Sequence, residues 1–464
     1  MGTSAAIPRA STGIAGLDDI LGGGLPRHRM YLIQGTPGVG KTTLALQFLL
    51  QGVRAGETVL YITLSETREE IEQVAASHGW SLDGVSLFEL STAEQSMRLS
   101  EENTLYATAE IELRETMRVL LAEVERVKPS RVVFDSLSEV RLLSQTTVRY
   151  RRQLLGLKQY FSQSDADVTV LLLDDRSSEA GDQPLESLVH GVVLLEQTPM
   201  QYGADRRRIR IGKMRGARFR SGYHDFTVET GGLQVYPRLV ASEHRTEQLA
   251  EPMPSGLAAL DQLLGGGIDR ATATLVIGPA GTGKSAICTQ YACAAADRGE
   301  RAALFLFEER TGTLRERARQ LGAPLARHLD EGTITAKQID PAELAPDEFA
   351  HLVRTAVDEG ARVIVIDSLN GYFNAMPEGR LLTLQMHELL GFLAERGVAT
   401  LMTVAQTGMI GPMTAPVDLS YLADTVVLLR YFEHGGELRK AISVVKKRSG
   451  VHERSIRELV IRPG

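Results

Sequence analysis

Two stretches of this chain are one pattern written twice. "STGIAGLDDILGGGLPRHRMYLIQGTPGVGKTTLALQF" begins at Ser11, and "PSGLAALDQLLGGGIDRATATLVIGPAGTGKSAICTQY" begins at Pro254. Gly13 pairs with Gly256, Gly24 with Gly267, Lys41 with Lys284, Glu66 with Glu309 and Gly79 with Gly322, each pair 243 positions apart. A gapless repeat of about seventy residues makes two copies of one folding unit the starting point for everything else. Later landmarks recur at shorter offsets. Asp135 of "RVVFDSLS" and Asp367 of "RVIVIDSLN" are 232 apart, while Lys213 and Arg215 of "GKMRG" match Lys446 and Arg448 of "VKKRSG" 233 apart. A deletion of about ten residues is therefore expected between the helix after Gly322 and the strand before Asp367. The polar join "ASEHRTEQLAEPMPSG" reads as a linker. The expected organisation is a flexible N-terminus (1–10), a first domain (11–242), a linker (243–252) and a second domain (253–464), and 464 residues suffice for two proper cores.

Within each unit, short apolar runs ("MYLIQG", "VLYITL", "RVVFDS", "VTVLLLD") alternate with longer helical stretches such as "TTLALQFLLQGVRAG" and "AEIELRETMRVLLAEVERV". Alternation of this kind predicts the α/β class: a mostly parallel sheet flanked by helices on both faces, with ligands at the carboxyl ends of the strands. The net charge of −7 gives no global attraction to nucleic acid or anionic membrane. No apolar run reaches the roughly 18 residues that span a bilayer. "MGTSAAIPRA" has neither a secretory pattern nor, with Ala6, a myristoylation site. Cys288 and Cys293 lie in an apolar helical segment and read as buried, reduced thiols of a cytoplasmic protein.

The chemistry concentrates on the strand ends. Gly35, Thr36, Pro37, Gly38, Val39, Gly40, Lys41, Thr42 and Thr43 form one phosphate loop, and Gly278, Pro279, Ala280, Gly281, Thr282, Gly283, Lys284, Ser285 and Ala286 form the other. Both follow an apolar strand and open a helix, as the motif G-x-x-x-x-G-K-[ST] requires. The glycines let backbone N–H groups turn towards phosphate oxygens of ATP, and Lys41 and Lys284 would reach the β- and γ-phosphates. Thr42 and Ser285, with the strand-end Asp135 and Asp367, would hold Mg²⁺. Glu66 in "YITLSET", and Glu308 and Glu309 in "LFLFEER", end the next strand, where a carboxylate can orient or deprotonate an attacking hydroxyl. Lys213/Arg215 and Lys446/Arg448 sit at alternate positions of extended segments, so each pair points one way and suits a finger reaching a neighbouring subunit's nucleotide. The surrounding "RRRIRIGKMRGARFR" carries seven arginines and one lysine in fifteen residues, which could instead be a nucleic-acid footprint, although only Phe219 is there to stack on a base.

These motifs, in this order, resemble the KaiC family of tandem RecA-like ATPases from the circadian clock. The resemblance runs from Ser11 to about Ile461, through "TGIAGLDDILGGGLP", both phosphate loops, "FEER", both "DSL" strands, "KMRG" and "DLSYLADTVVLLRYFEHGGELRKAISVVKKR". It implies a homo-oligomer, a hexamer of two stacked rings, with ATP between subunits. The first ring would hydrolyse ATP slowly, and the second would phosphorylate its own chain. The family's two phosphorylated positions fall on Ser420 and Tyr421, the second normally threonine. Glu308 looks like the carboxylate that activates the acceptor, and the two cation pairs look like contacts across the subunit boundary. Clock members continue past the second repeat into a tail that receives an activator; where this chain ends, at "IRELVIRPG", little is expected for such a partner to grip.

Ser65 stands where the second copy has Glu308. A serine hydroxyl can bond a water but cannot act as its base near neutral pH, a loss of typically 10²–10⁴-fold. The expected reading is a signalling autokinase in which repeat one mainly holds ATP and the ring, while repeat two transfers phosphate. The alternatives are a DNA-dependent RecA-like motor or recombination mediator, for which no zinc cluster or added domain is visible, and a scaffold in which ATP is structural.

Overall fold

The structure, a computed structural model, describes residues 7–90, 109–163, 167–175, 183–240, 251–374, 379–406 and 421–462. The chain divides into two compact units, Met1–Gln201 with Asp205–Arg238, and Leu239–Gly464 with Tyr202–Ala204. In the first, a small ribbon pairs β1 (Arg9–Ala10) with β2 (Leu25–Pro26). The main sheet follows: β3 (Met30–Gly35), β4 (Val59–Thr63), β5 (Val85–Glu89), β6 (Arg131–Asp135), β7 (Thr169–Asp175), β8 (Gly191–Thr198), β9 (Arg206–Met214), β10 (Tyr223–Glu229) and β11 (Gly232–Tyr236). Its order is β11-β10-β9-β8-β3-β7-β6-β4-β5. The strands from β8 to β5 are parallel, and β9 to β11 add an antiparallel extension.

The second unit repeats the plan. A ribbon of β12 (Pro252–Met253) and β13 (Ile268–Asp269) precedes β14 (Ala273–Gly278), β15 (Arg301–Leu306), β16 (Ile334–Gln338), β17 (Ala361–Asp367), β18 (Ala399–Ala405), β19 (Thr425–His434), β20 (Glu437–Lys447) and β21 (Arg457–Glu458). The order is β16-β15-β17-β18-β14-β19-β20-β21, with the antiparallel part reduced to β20 and β21.

Each sheet is buried on both faces, which is why its central strands are apolar without alternation. In β3, Tyr31 and Ile33 enter one core with Phe48 and Leu49, while Met30 and Leu32 enter the other with Phe134 and Leu172. Val276 and Leu275 of β14 divide the same way. Cys288 and Cys293 are free and buried on the helix Lys284–Asp297, and burial pushes the Cys293 thiol up to about 12.

The expected deletion resolves into two opposed changes. Val59 pairs with Val85 and its equivalent Ala302 with Ile334, so the offset grows from 243 to 249, an insertion of six filled by the short helix Leu325–Asp330. By Asp135 and Asp367 the offset is 232, so seventeen residues are missing from the second unit between β16 and β17. A sequence offset reports only the sum of such changes.

Candidate functional site: two phosphate loops at the strand ends

Both loops join the central strand to a helix, Lys41–Arg54 in the first unit and Lys284–Asp297 in the second. Gly38 and Gly40 have φ of 79° and 111°, and Gly281 and Gly283 have 76° and 109°. Those left-handed positions are open to glycine at little cost. A Cβ on Gly35 would lie 2.7 Å from the Leu195 carbonyl oxygen, and one on Gly278 would lie 2.6 Å from that of Leu429. The loop is thus folded tightly against the neighbouring strand. Lys41 Nζ donates to the carbonyls of Gly35 (2.9 Å) and Thr36 (3.0 Å), and Lys284 Nζ to those of Gly278 (2.8 Å) and Pro279 (2.9 Å). The two lysines are anchored alike. Burial lowers the Lys284 pKa, against the pull of Asp367 and Glu308.

Asp135 ends β6 beside the first loop and is 7% exposed. Thr42 Oγ1 donates to its Oδ2 at 2.9 Å, and the buried Tyr61 hydroxyl donates to the same oxygen. Burial raises the Asp135 pKa, the hydrogen bonds from Tyr61 and Thr42 and the charge of Lys41 oppose that rise, and Asp175 adds to it. Asp367 ends β17 in the same way and accepts from Thr403 on β18. The peptide bond after each aspartate, to Ser136 and to Ser368, is cis. A threonine or serine hydroxyl beside a strand-end carboxylate, under a loop of inward amides, is a donor set that fits a magnesium–polyphosphate pair.

The carboxylates of the next strand differ between the units. In the first, Thr63 Oγ1 accepts from the Glu66 amide (2.9 Å) and donates to its carbonyl (2.6 Å), fixing the turn. Burial, then Asp135 and Glu70, raise the Glu66 pKa against Lys41, and its Oε2 is buried without a hydrogen-bond partner among the described residues. Ser65 is exposed. In the second, a cavity of about 490 Å³ is lined by Ser285, Glu308, Glu309, Arg310, Thr313 and Asp367. Ser368 Oγ donates to Glu308 Oε1 at 2.7 Å, and Arg317 grips both oxygens of Glu309.

The cation pairs lie elsewhere. Lys213 pairs with Val192 across a bulge in β8–β9, and Lys446 pairs with Val426 across the same bulge in β19–β20. A bulge at one place in both copies re-aims these side chains alike. Lys213 Nζ donates to the carbonyls of Glu186 and Val189, and Arg215 Nη2 to that of Ser187. Lys446 Nζ donates to the Ala423 carbonyl, while Arg448 reaches Asp424 Oδ1 (3.1 Å) and the Tyr421 carbonyl (3.1 Å). All of this sits where β3 and β14 begin: the His190 amide bonds the Met30 carbonyl, and the Asp424 amide bonds that of Ala273. The phosphate loops leave the other ends of those six-residue strands, about 17 Å away at the usual rise. Tyr421 is exposed beside Arg448, and Ser420 lies outside the described residues.

The arginine-rich stretch is largely committed inside its own unit: Arg208 to Asp225 at 3.6 Å, Arg220 to Asp19 at 2.9 Å, and Arg210 stacked over Tyr223. Three participants escaped sequence reading: Asp175, 2.8 Å from Lys41, and Ser368 and Arg317 in the second unit. Only Asp175 left a signal, as the acid of "LLLDD" where "LMTVA" of the other copy has Ala405. Among the described residues, no helix is long and apolar enough to cross a membrane.

A family model for the KaiC ATPase matches residues 10–240 and again residues 253–464. Curated relatives include circadian clock oscillator proteins KaiC from Parathermosynechococcus lividus (28% identical, covering 98% of this chain and 84% of the relative) and Synechococcus elongatus (28%, 98% and 88%). The KaiC of Prochlorococcus marinus is also 28% identical, over 98% of this chain and 91% of its own length. Twin RecA-like sheets, twin phosphate loops and a family match across both halves lead to one conclusion: this chain belongs to the KaiC family of ATPases.

Proposed function

We propose that the chain binds and hydrolyses ATP with Mg²⁺ at the subunit boundaries of a hexameric double ring, and phosphorylates itself in its second unit as a signalling regulator. The observation that carries this reading is the cavity beside the second phosphate loop, where Ser285 and Asp367 meet Glu308. That combination brings a magnesium-type donor set and a proton acceptor to one place.

In this reading the loop amides and Lys284 hold the β- and γ-phosphates, and Ser285 with Asp367 holds the metal. Magnesium, when bound, neutralises charge on the transferring phosphoryl group. Glu308 takes the proton of the attacking hydroxyl. Lys446 and Arg448 stand some 17 Å along β14 from their own loop, too far to serve it, so they suit the nucleotide of the next subunit. Tyr421 shares their end of the sheet and in this reading offers an acceptor hydroxyl there, while Ser420, the other acceptor, lies outside the described residues. The first unit, with Ser65 in place of a base, holds ATP and the ring and turns over slowly.

Steady-state hydrolysis by Lys41→Ala and Lys284→Ala chains tests the division of labour. Lys284→Ala should remove most turnover, and Lys41→Ala should weaken nucleotide-dependent assembly. The opposite pattern, with the oligomer intact, rejects it. Site-mapped mass spectrometry after incubation with ATP and Mg²⁺ should find phosphate on Ser420. A chain that hydrolyses ATP yet stays unmodified rejects the kinase step.

A further inference from the structure

The two adjacent carboxylates of the second unit are held in unlike ways. Among the described residues, Glu308 is hydrogen-bonded at Oε1 by the hydroxyl of Ser368, a residue 3% exposed just after β17. Glu308 lines the cavity together with Ser285 and Asp367, and Oε2 is the oxygen that Ser368 does not engage. Glu309 has both oxygens in the fork of Arg317, at 3.2 Å from Nε and 2.7 Å from Nη2. Arg317 lies on the helix Thr311–Gln320, and both partners are about three-quarters shielded from water, at 26% and 21% side-chain exposure. A bidentate guanidinium fixes a carboxylate in direction as well as charge.

The first unit is arranged differently. Ser65 replaces Glu308, the hydroxyl of Ser136 (the counterpart of Ser368) bonds that of Ser138, and Val74, at the place of Arg317, packs against the core. Glu66, the counterpart of Glu309, has a buried oxygen without a hydrogen-bond partner among the described residues. The clamp and the second carboxylate therefore occur together, and the equivalent hydroxyl, present in both units, is turned to a carboxylate only in the second.

We propose that Ser368 and Arg317 are positioning residues that sort the paired glutamates into two roles: Ser368 aims Glu308 as the proton acceptor, and Arg317 holds Glu309 out of that role as a fixed charge. This rests on the phosphoryl-transfer reading above. In the step, the acceptor oxygen forms its bond to the γ-phosphorus and its proton passes to Glu308 Oε2. The bond to the β–γ bridging oxygen breaks, and the electron pair leaves with the diphosphate. The Ser368 hydroxyl keeps donating to Oε1 throughout, so the carboxylate does not turn away as it is protonated.

The test uses the full chain carrying Lys41→Ala, so that only the second loop turns over, with phosphate release followed against ATP concentration. Ser368→Ala should lower kcat about tenfold with KM changed less than about twofold, because aim and not binding is lost. Glu308→Gln should lower kcat by about 10²–10⁴-fold. Adding Arg317→Gln to Glu308→Gln should recover about tenfold or more, because Glu309 is released to act as acceptor. That gain cannot come from a folding defect. An unchanged kcat in Ser368→Ala, or no recovery in the double variant, overturns the inference while the ATPase reading stands. A Lys41→Ala parent that stays assembled yet is inactive, while the unsubstituted chain hydrolyses ATP, overturns that reading and this inference with it.

Discussion

Asp175 Oδ1 lies 2.8 Å from Lys41 Nζ, at the end of the strand beside the first phosphate loop. In the second unit Ala405 takes the place of Asp175: Gly35 pairs with Asp175, and Gly278 with Ala405. The first unit thus has Ser65 where its twin has an acid, and carries an acid across the loop that its twin lacks. An anion on the lysine competes with an incoming γ-phosphate. Asp175 is 43% exposed, so the pair is screened and worth roughly 0.2–1 kcal/mol.

Asp175→Asn should therefore tighten ATP binding at the first site by about two- to fivefold. Titration of a fluorescent ATP analogue into the Lys284→Ala chain measures it. Weaker binding would show that Asp175 supports the lysine and does not compete for it.

Glu66→Gln should separate stability from activity. Burial, Asp135 and Glu70 raise the Glu66 pKa above its ordinary 4.5, so the folded state holds the proton more tightly than the unfolded one. Stability is then lost as pH rises from that ordinary value through the folded one. The amide should raise the melting temperature of the first unit at pH 7 and make no difference well below pH 4.5, while lowering first-site turnover. A variant that melts lower at pH 7 contradicts this account.

His224 sets an acid limit on the first unit. Its Nδ1 accepts from the Arg238 amide (3.0 Å), so in the neutral ring Nε2 donates to the Arg220 carbonyl (3.2 Å). Burial pushes its pKa down to about 4 from 6.5. A depressed histidine costs stability as pH falls from 6.5 towards 4, about 2 kcal/mol between pH 7.5 and pH 5. Urea unfolding at those two pH values should show the loss, and His224→Gln should remove most of it.

Ser65→Glu should raise turnover at the first site, by roughly ten- to a hundredfold, through a restored proton acceptor. The gain should stop short of the second site's rate, because the Ser136 hydroxyl is engaged with Ser138 and does not aim the new carboxylate. Phosphate release by the Lys284→Ala chain, with and without the substitution, reads this directly.

The repeat, the phosphate loops and the strand-end aspartates were all legible in the chain. Each is a local demand: glycines where φ is positive at Gly40 and Gly283, apolar runs where a strand is covered on both faces, and an acid at the last residue of such a run. The fivefold agreement of the 243 offset needed no fold at all. What the sequence could not supply is which side chains meet across elements. Glu308 and Glu309 are neighbours in sequence and equal as carboxylates. Only the approach of Ser368, sixty residues away, and of Arg317, two turns along the next helix, makes one available and the other bound. The same holds for Asp175 on Lys41. Spacing along a strand or helix is set by short-range geometry and can be read from residue order. Partnership between elements depends on sheet order and packing, which the chain acquires only when it folds.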